Sequence, residues 1–299
     1  MRPRHVALLV LGVVAVSTSA PMIRLADAPP LAVAFYRNAF AAAALLPFAL
    51  LRHRRELAEL GPRRGGALLL AGTFLAIHFA SWIPSVTLTT VAASTVLGVG
   101  SQSVWAAVGA RVFLGERVRR AALGGIAVAL VGAVLISGAD FALSPRAFAG
   151  DMLALVGAVT AAGYLLTGRR LRQGLSIAVY AGVVYSVCSV LLLAAALVAG
   201  TSLTGFEPKV WLLFVLMAAG PQILGHTVFN YLLRDLDATV VAVAIMGETV
   251  GASLLALAFF GEVPPWSSVI GGAVVLVGIY LAVTAQARRP AEAPVDQHQ

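Results

Sequence analysis

Ten apolar stretches divide the chain, at about 6–23, 29–51, 65–84, 87–110, 121–138, 151–168, 176–199, 210–233, 239–260 and 266–285. Each is apolar on most faces rather than along one stripe, as suits a helix surrounded by lipid or by other apolar helices. Each comes close to the ~20 residues that cross a hydrocarbon core of about 30 Å. The polar segments between them are too short to hold a soluble domain. The pattern predicts an all-α integral membrane protein with ten transmembrane helices. The first stretch has a second reading. Arg2 and Arg4, an apolar run and then Ser17-Thr18-Ser19-Ala20 also have the form of a secretory signal with a small-residue cleavage site.

Composition agrees with a membrane protein. Of the 299 residues 60% are apolar and 11% charged, where a soluble protein carries about a quarter charged residues. A soluble enzyme, a disordered chain and a nucleic-acid-binding domain are excluded on that ground. The net charge of +8 follows instead from where the basic residues lie. With the N-terminus inside, the tails and even-numbered loops hold 17 of the 21 Lys and Arg, the outer loops hold three (Arg24, Arg146, Lys209), and Arg37 lies within a span. Such an excess of basic residues sets orientation, so both termini are expected in the cytoplasm. The single cysteine, Cys188, leaves no internal disulfide and no multi-cysteine metal site.

The chain repeats itself at an offset of 146 residues. Ile23-Arg24 falls on Arg169-Arg170, Leu31-Ala32-Val33 on Ile177-Ala178-Val179, and Pro62-Arg63 on Pro208-Lys209. Phe113-Leu114-Gly115-Glu116 falls on Phe259-Phe260-Gly261-Glu262, and small slips bring Gly124-Gly125 onto Gly271-Gly272 and His78 onto His226. These matches define two five-helix units, 1–145 and 146–285, followed by a polar tail, 286–299, expected to be disordered. An odd number of helices per unit makes the second copy enter the membrane from the opposite side. Inverted repeats of this kind are common in secondary transporters, with the substrate site near the midplane between the halves. The repeat also argues against the signal-peptide reading, because the first span has a partner later in the chain.

Several motifs resemble the drug/metabolite transporter superfamily, in its EamA-type ten-helix branch. They are Pro30 with Ala34-Phe35-Tyr36-Arg37, then His78-Phe79 with Trp82, and Thr89-Thr90-Val91-Ala92-Ala93-Ser94. Further on come Phe113-Leu114-Gly115-Glu116-Arg117 with Gly124 and Gly132, then Gly225-His226-Thr227 with Asn230-Tyr231, and finally Met246-Gly247-Glu248 and Phe260-Gly261-Glu262. The resemblance covers about residues 5–285. It implies a basket of two five-helix halves that moves small metabolites, without fixing the cargo. Many relatives carry proline in span four where this chain has Gly100-Ser101-Gln102; Gly98 and Gly100 could supply the same flexibility.

Four ionisable residues fall well inside spans: Arg37, His78, His226 and Glu248. A charge at a helix centre costs at least ~2.5 kcal/mol, and such residues usually face a cavity or a partner. Glu248, near the middle of span nine, could exchange a proton or receive a substrate ammonium; its structural alternative is a pair with Arg37 or His226. Arg37 suits a carboxylate or phosphate, or else a fixed bridge to Glu248 or to helix-end carbonyls. His78 and His226 are repeat-related and could gate or relay protons, or simply pack. Asn230 lies one turn from His226, on the same face. Gln102 matches Glu248 across the repeat, so spans four and nine are expected to line one cavity together with Tyr164. Trp82 and Trp105 could stack on a cationic or aromatic cargo, although Trp82, near a span end, reads more readily as an interfacial anchor. Glu116 and Glu262 read as helix-end caps or loop ion pairs. Pro221, beside Gly220, is an expected kink and hinge.

The chain has no phosphate-binding Gly-Lys-Ser/Thr loop, no His-Glu-x-x-His and no paired acidic metal motif. The reading is therefore a non-enzymatic secondary transporter of the inner membrane, without a cofactor. It is expected to export amino acids or related amphiphilic compounds, with the proton as candidate coupling ion. Its partners are a small-molecule substrate and the lipid bilayer, not nucleic acid, and it is a monomer or homodimer. The alternatives are an uncoupled facilitator and, from another class, a membrane-embedded lipid-handling enzyme.

Overall fold

The structure, a computed structural model, describes residues 2–115, 119–137, 145–261 and 266–287. Among them there is no strand. Ten principal helices follow one another: α1 Pro3–Ala26, α2 Pro30–Arg52, α3 Pro62–Leu88, α4 Val91–Phe113, α5 Arg120–Ser137, α6 Pro145–Leu171, α7 Ile177–Val198, α8 Pro208–Leu232, α9 Ala238–Phe260 and α10 Trp266–Ala287. Eight of these are long and apolar enough to cross a membrane, and α5 and α10 are apolar over the shorter stretches Arg120–Gly132 and Val269–Ala282. The motif residues Glu116, Arg117 and Glu262, the arginines at 288 and 289 and the rest of the tail lie outside the described residues. Residues 286 and 287, read as the start of a tail, instead close α10.

Local chemistry sets the helix ends. α1, α2, α3, α6 and α8 all open on proline, whose missing N–H is no loss in a first turn. These prolines start α3 and α6 earlier than their apolar stretches do, so both run for 27 residues. The Thr90 hydroxyl caps α4 by accepting from Ala93 N, and Ser176 caps α7 by accepting from Val179 N. Gly115 and Gly261, paired by the repeat, both take positive φ (67° and 66°) just after α4 and α9, a backbone state that glycine adopts without strain. α1 bends at Thr18, where the Ser17 and Thr18 hydroxyls donate to the carbonyls of Val13 and Ala15 at 2.7 Å. Two helices carry π-helical stretches. Val96–Gly100 lies in α4, ending at Gly100, and Ala218–Thr227 lies in α8, around the buried Pro221. A π stretch rearranges the backbone bonds that a proline interrupts.

Contacts at the helix ends fix the direction of each repeat. Arg4 at the start of α1 donates to the Tyr231 hydroxyl at the end of α8 (2.9 Å), and His5 lies 3.6 Å from Asp235. The end of α6 reaches the same place, because Arg169 donates to Leu233 O at 2.7 Å. The start of α1 and the end of α6 therefore share one face, and the two repeats run in opposite senses. α1 is a member of the bundle and not an appendage: Val16, Ala20 and Ile23 are buried in it. α2 packs along α7, α3 along α6, and α5 along α10. The last pair closes on small residues. A Cβ on Gly125 would lie 2.4 Å from the backbone N of Ala282, and one on Gly278 would lie 2.4 Å from that of Ala129. Gly125-Ala129 and Gly278-Ala282 thus form a small-xxx-small contact on both helices.

Backbone atoms cannot give way as a side chain can. Gly278→Val is therefore expected to destabilise the detergent-solubilised protein by about 1–3 kcal/mol, read as a lower thermal midpoint. Gly124→Ala, with nothing within 4 Å of the new Cβ, should leave the midpoint in place or raise it. Equal effects of the two substitutions would show that α5 and α10 do not close as described.

Candidate functional site

Three repeat-related helix pairs, α1 with α6, α3 with α8 and α4 with α9, surround one small cavity. Its lining includes Ser19 of α1, His78 and Trp82 of α3, Gln102 of α4, Tyr164 of α6, His226 of α8 and Glu248 of α9. The cavity volume is about 30 Å3, room for roughly one or two water molecules. Ser19, His78, Trp82, Gln102, Tyr164 and Glu248 in its wall are buried, and His226 is partly exposed. Much of the wall is aromatic. The His78 and Trp82 rings are nearly parallel, with centroids 5.9 Å apart. His226 meets Phe79 edge-on at 5.5 Å, and both His78 and Tyr164 at 6.4 Å. Two glycines make this approach possible: a Cβ on Gly98 would lie 2.8 Å from Trp82 Cδ1, and one on Gly157 would lie 3.1 Å from Trp82 Cβ.

The polar groups of the cavity differ in how well they are occupied. His78 donates from Nδ1 to Gly157 O at 2.9 Å. A carbonyl only accepts, so the neutral ring keeps Nε2 as an acceptor. Tyr164 accepts from Asn230 Nδ2. Glu248 has neither a hydrogen bond nor an ion pair among the described residues, although it is buried. The fixed Arg37–Glu248 bridge is thus not formed.

Arg37 sits beside the cavity rather than in its wall, and is 0% exposed. It donates from Nε to Gln222 Oε1 (3.1 Å) and from Nη1 to Ser19 Oγ (2.9 Å), and its guanidinium carbon lies 4.3 Å from the Phe79 ring centroid. Nη2 has no partner. The buried guanidinium thus has only neutral groups in direct contact, and it ties α2 to α1, α3 and the π stretch of α8. Tyr185 of α7 extends this cluster with contacts to Gln222 O (3.3 Å) and Thr227 Oγ1 (2.9 Å).

At opposite ends of the bundle an arginine ties the three cavity helices of each repeat together. Arg24, closing α1, donates to Val86 O at 3.2 Å and to Thr89 O at 2.9 Å, carbonyls where α3 ends and α4 begins. Arg169, closing α6, donates to Leu233 O at 2.7 Å and Arg234 O at 3.1 Å, and reaches Asp237 Oδ1 at 3.4 Å, where α8 ends and α9 begins. The helix dipole favours a cation at a C-terminus. The 146-residue offset pairs Arg24 with Arg170, and the structure uses Arg169, one residue away.

The remaining candidates lie elsewhere. Asn230 is fully buried behind Tyr164, with its amide also donating to His226 O at 2.7 Å. Trp105 does not reach the cavity; it is 47% exposed on the outer surface of α4. Trp82 is not an interfacial anchor, being 3% exposed and part of the cavity wall. Helices that are apolar all round give no sign of which face turns inward, so sequence reasoning exchanged the settings of these two tryptophans. Ser19 and Gln222 were not among the candidates; a glutamine beside Pro221 in an apolar span was the available signal for the second. Arg172, counted as a loop arginine, is 2% exposed and donates to Asn230 O (3.1 Å) and Leu175 O. Burial, and next Arg234, pull its pKa below the ordinary arginine value.

Comparison with protein families matches residues 4–138 and again 148–284 to the EamA-like transporter family. A solved structure titled "Crystal structure of protein" superposes with a TM-score of 0.78 over 96% of this chain and 99% of its own, at 18% identity. At that identity the likeness speaks for the fold alone. No curated protein matches.

The Arg37 cluster makes a signed prediction. Gln222→Leu removes the acceptor of a buried charge and should lower the thermal midpoint by the equivalent of about 1–3 kcal/mol. Arg37→Met removes the charge itself and should cost less, or even stabilise. If Arg37→Met proved the more damaging in thermal unfolding, the guanidinium would be well satisfied and this description of it wrong.

Proposed function

The chain belongs to the EamA-like transporter family, and from that premise we propose a secondary transporter that exports amino acids or related small amphiphilic compounds across the inner membrane. All ten helices cross the bilayer in this reading, with both termini in the cytoplasm, as the arginine distribution favours. The observation that carries it is the cavity. It lies between repeat-related helices of opposite direction, the place where inverted-repeat transporters hold their cargo. Its wall offers an unpaired carboxyl, an imidazole acceptor and aromatic faces, a set that suits an ammonium group attached to an apolar body. Glu248 exchanges a proton as the cavity turns from one side to the other, His226 assists, and flux is thereby coupled to the proton gradient. At about 30 Å3 the cavity is too small for a metabolite, so in this reading it widens when cargo binds. Pro221 and the surrounding π stretch serve as the hinge.

The test compares cells expressing the wild type, Glu248→Gln and an empty vector at matched membrane levels, with small metabolites of medium and cytoplasm profiled by mass spectrometry. The expected result is one compound, or one group of compounds, moved outward by the wild type and held at vector level in Glu248→Gln. In vesicles, an imposed proton gradient should speed wild-type flux of that compound. Equal export by both proteins would remove the proton-coupling role of Glu248, and no compound distinguishing wild type from vector would remove export itself.

A further inference from the structure

Arg63, Arg64 and Arg170 stand around a hollow of about 560 Å3 where the start of α3 meets the end of α6, above an apolar floor of Ala67 and Leu171. Nearby polar groups are already committed. Arg169 and Arg172 are bound to carbonyls, Gln173 donates its amide to Arg234 O at 3.2 Å, and the Thr167 hydroxyl donates to Gly163 O at 2.8 Å. Among the described residues the three guanidinium groups around the hollow make no hydrogen bond and no ion pair. Glu59 faces Arg63 and Arg64 from an adjoining hollow and pairs with neither. Gly174 leaves space for the cluster, because a Cβ there would lie 3.1 Å from Arg64 Nη2.

Three guanidinium groups around one hollow whose own lining holds no carboxylate match an anion with several equivalent oxygens, which arginine binds through paired N–H donors. The start of α3 adds the positive end of a helix dipole. The hollow lies at the ends of two long apolar helices, with apolar residues beneath it; in a bilayer crossed by these helices that place meets the lipid headgroups. We propose that Arg63, Arg64 and Arg170 form a phosphate-binding site. Its ligand is the headgroup of an anionic phospholipid, or the same group free in solution.

The experiment follows thermal unfolding of the purified full chain in detergent by tryptophan fluorescence. Phosphatidylglycerol, phosphatidylcholine and inorganic phosphate are titrated separately at constant ionic strength. The wild type is compared with R63Q/R64Q/R170Q and with R52Q/R54Q/R55Q, which loses the same charge elsewhere. Phosphatidylglycerol is expected to raise the wild-type midpoint and phosphatidylcholine is not. The half-saturating concentration should rise at least about tenfold in the first triple variant and stay put in the second. A response to the lipid alone assigns the site to a headgroup, and a matching response to inorganic phosphate assigns it to a free anion. Gly174→Ala, which crowds Arg64, should weaken binding in the same direction and serves if the triple variant does not fold. Equal loss in both triple variants, or no wild-type response to either phosphate compound, overturns the proposal.

Discussion

Inside a bilayer a polar group has only other protein groups to bond to. Helix ends feel this most, because the last carbonyls of every helix lack an intrahelical donor. In this bundle Arg24 and Arg169 supply the missing donors at the ends of α3 and α8. Each also pins the helix that follows, so one side chain gathers the three cavity helices of its repeat. Since the repeats run in opposite senses, the two gathering points lie at opposite faces. The shape of the cavity follows from this placement: it is drawn in from one end by the first repeat and from the other end by the second.

Two ionisable groups beside the cavity meet this rule only in part. Arg37 is buried with one donor unused, and Glu248 is buried with no bonded partner. They belong to different repeats, and although each lies within reach of the other's charge, they form no direct ion pair. A protein selected for stability alone would join them or replace both with apolar residues. The π stretches of α4 and α8 adjoin this region, where a shift in backbone bonding would alter which end of the cavity is tight.

Much of the architecture was legible in the sequence, because lipid-facing helices declare themselves through length and apolarity alone. The inverted repeat was legible too, through Gly115 and Gly261 and through Arg24 and its later counterpart. Helix rotation was harder. Spans that are apolar on all faces carry no stripe, so Trp105 and Trp82 could not be sorted into outward and inward positions. Ser19 was equally hidden, since a serine in a span bears no charge that demands explanation, whereas Gln222 beside Pro221 carried a weak signal. Arg172 looked like any loop arginine, and only the fold around the end of α8 turns it inward. The arginine ties themselves depend on which carbonyls the topology exposes, which no local pattern records.

The central claim is that the two arginine ties close one shared cavity from opposite faces. It is tested by placing a cysteine at Val99, in the cavity wall, in a Cys188→Ala background, and labelling it with an impermeant maleimide applied to one membrane face at a time. The account predicts that Arg24→Gln raises labelling from one face several-fold and that Arg169→Gln raises it from the other. If both substitutions opened the cavity to the same face, or if neither changed the labelling, the account would be contradicted.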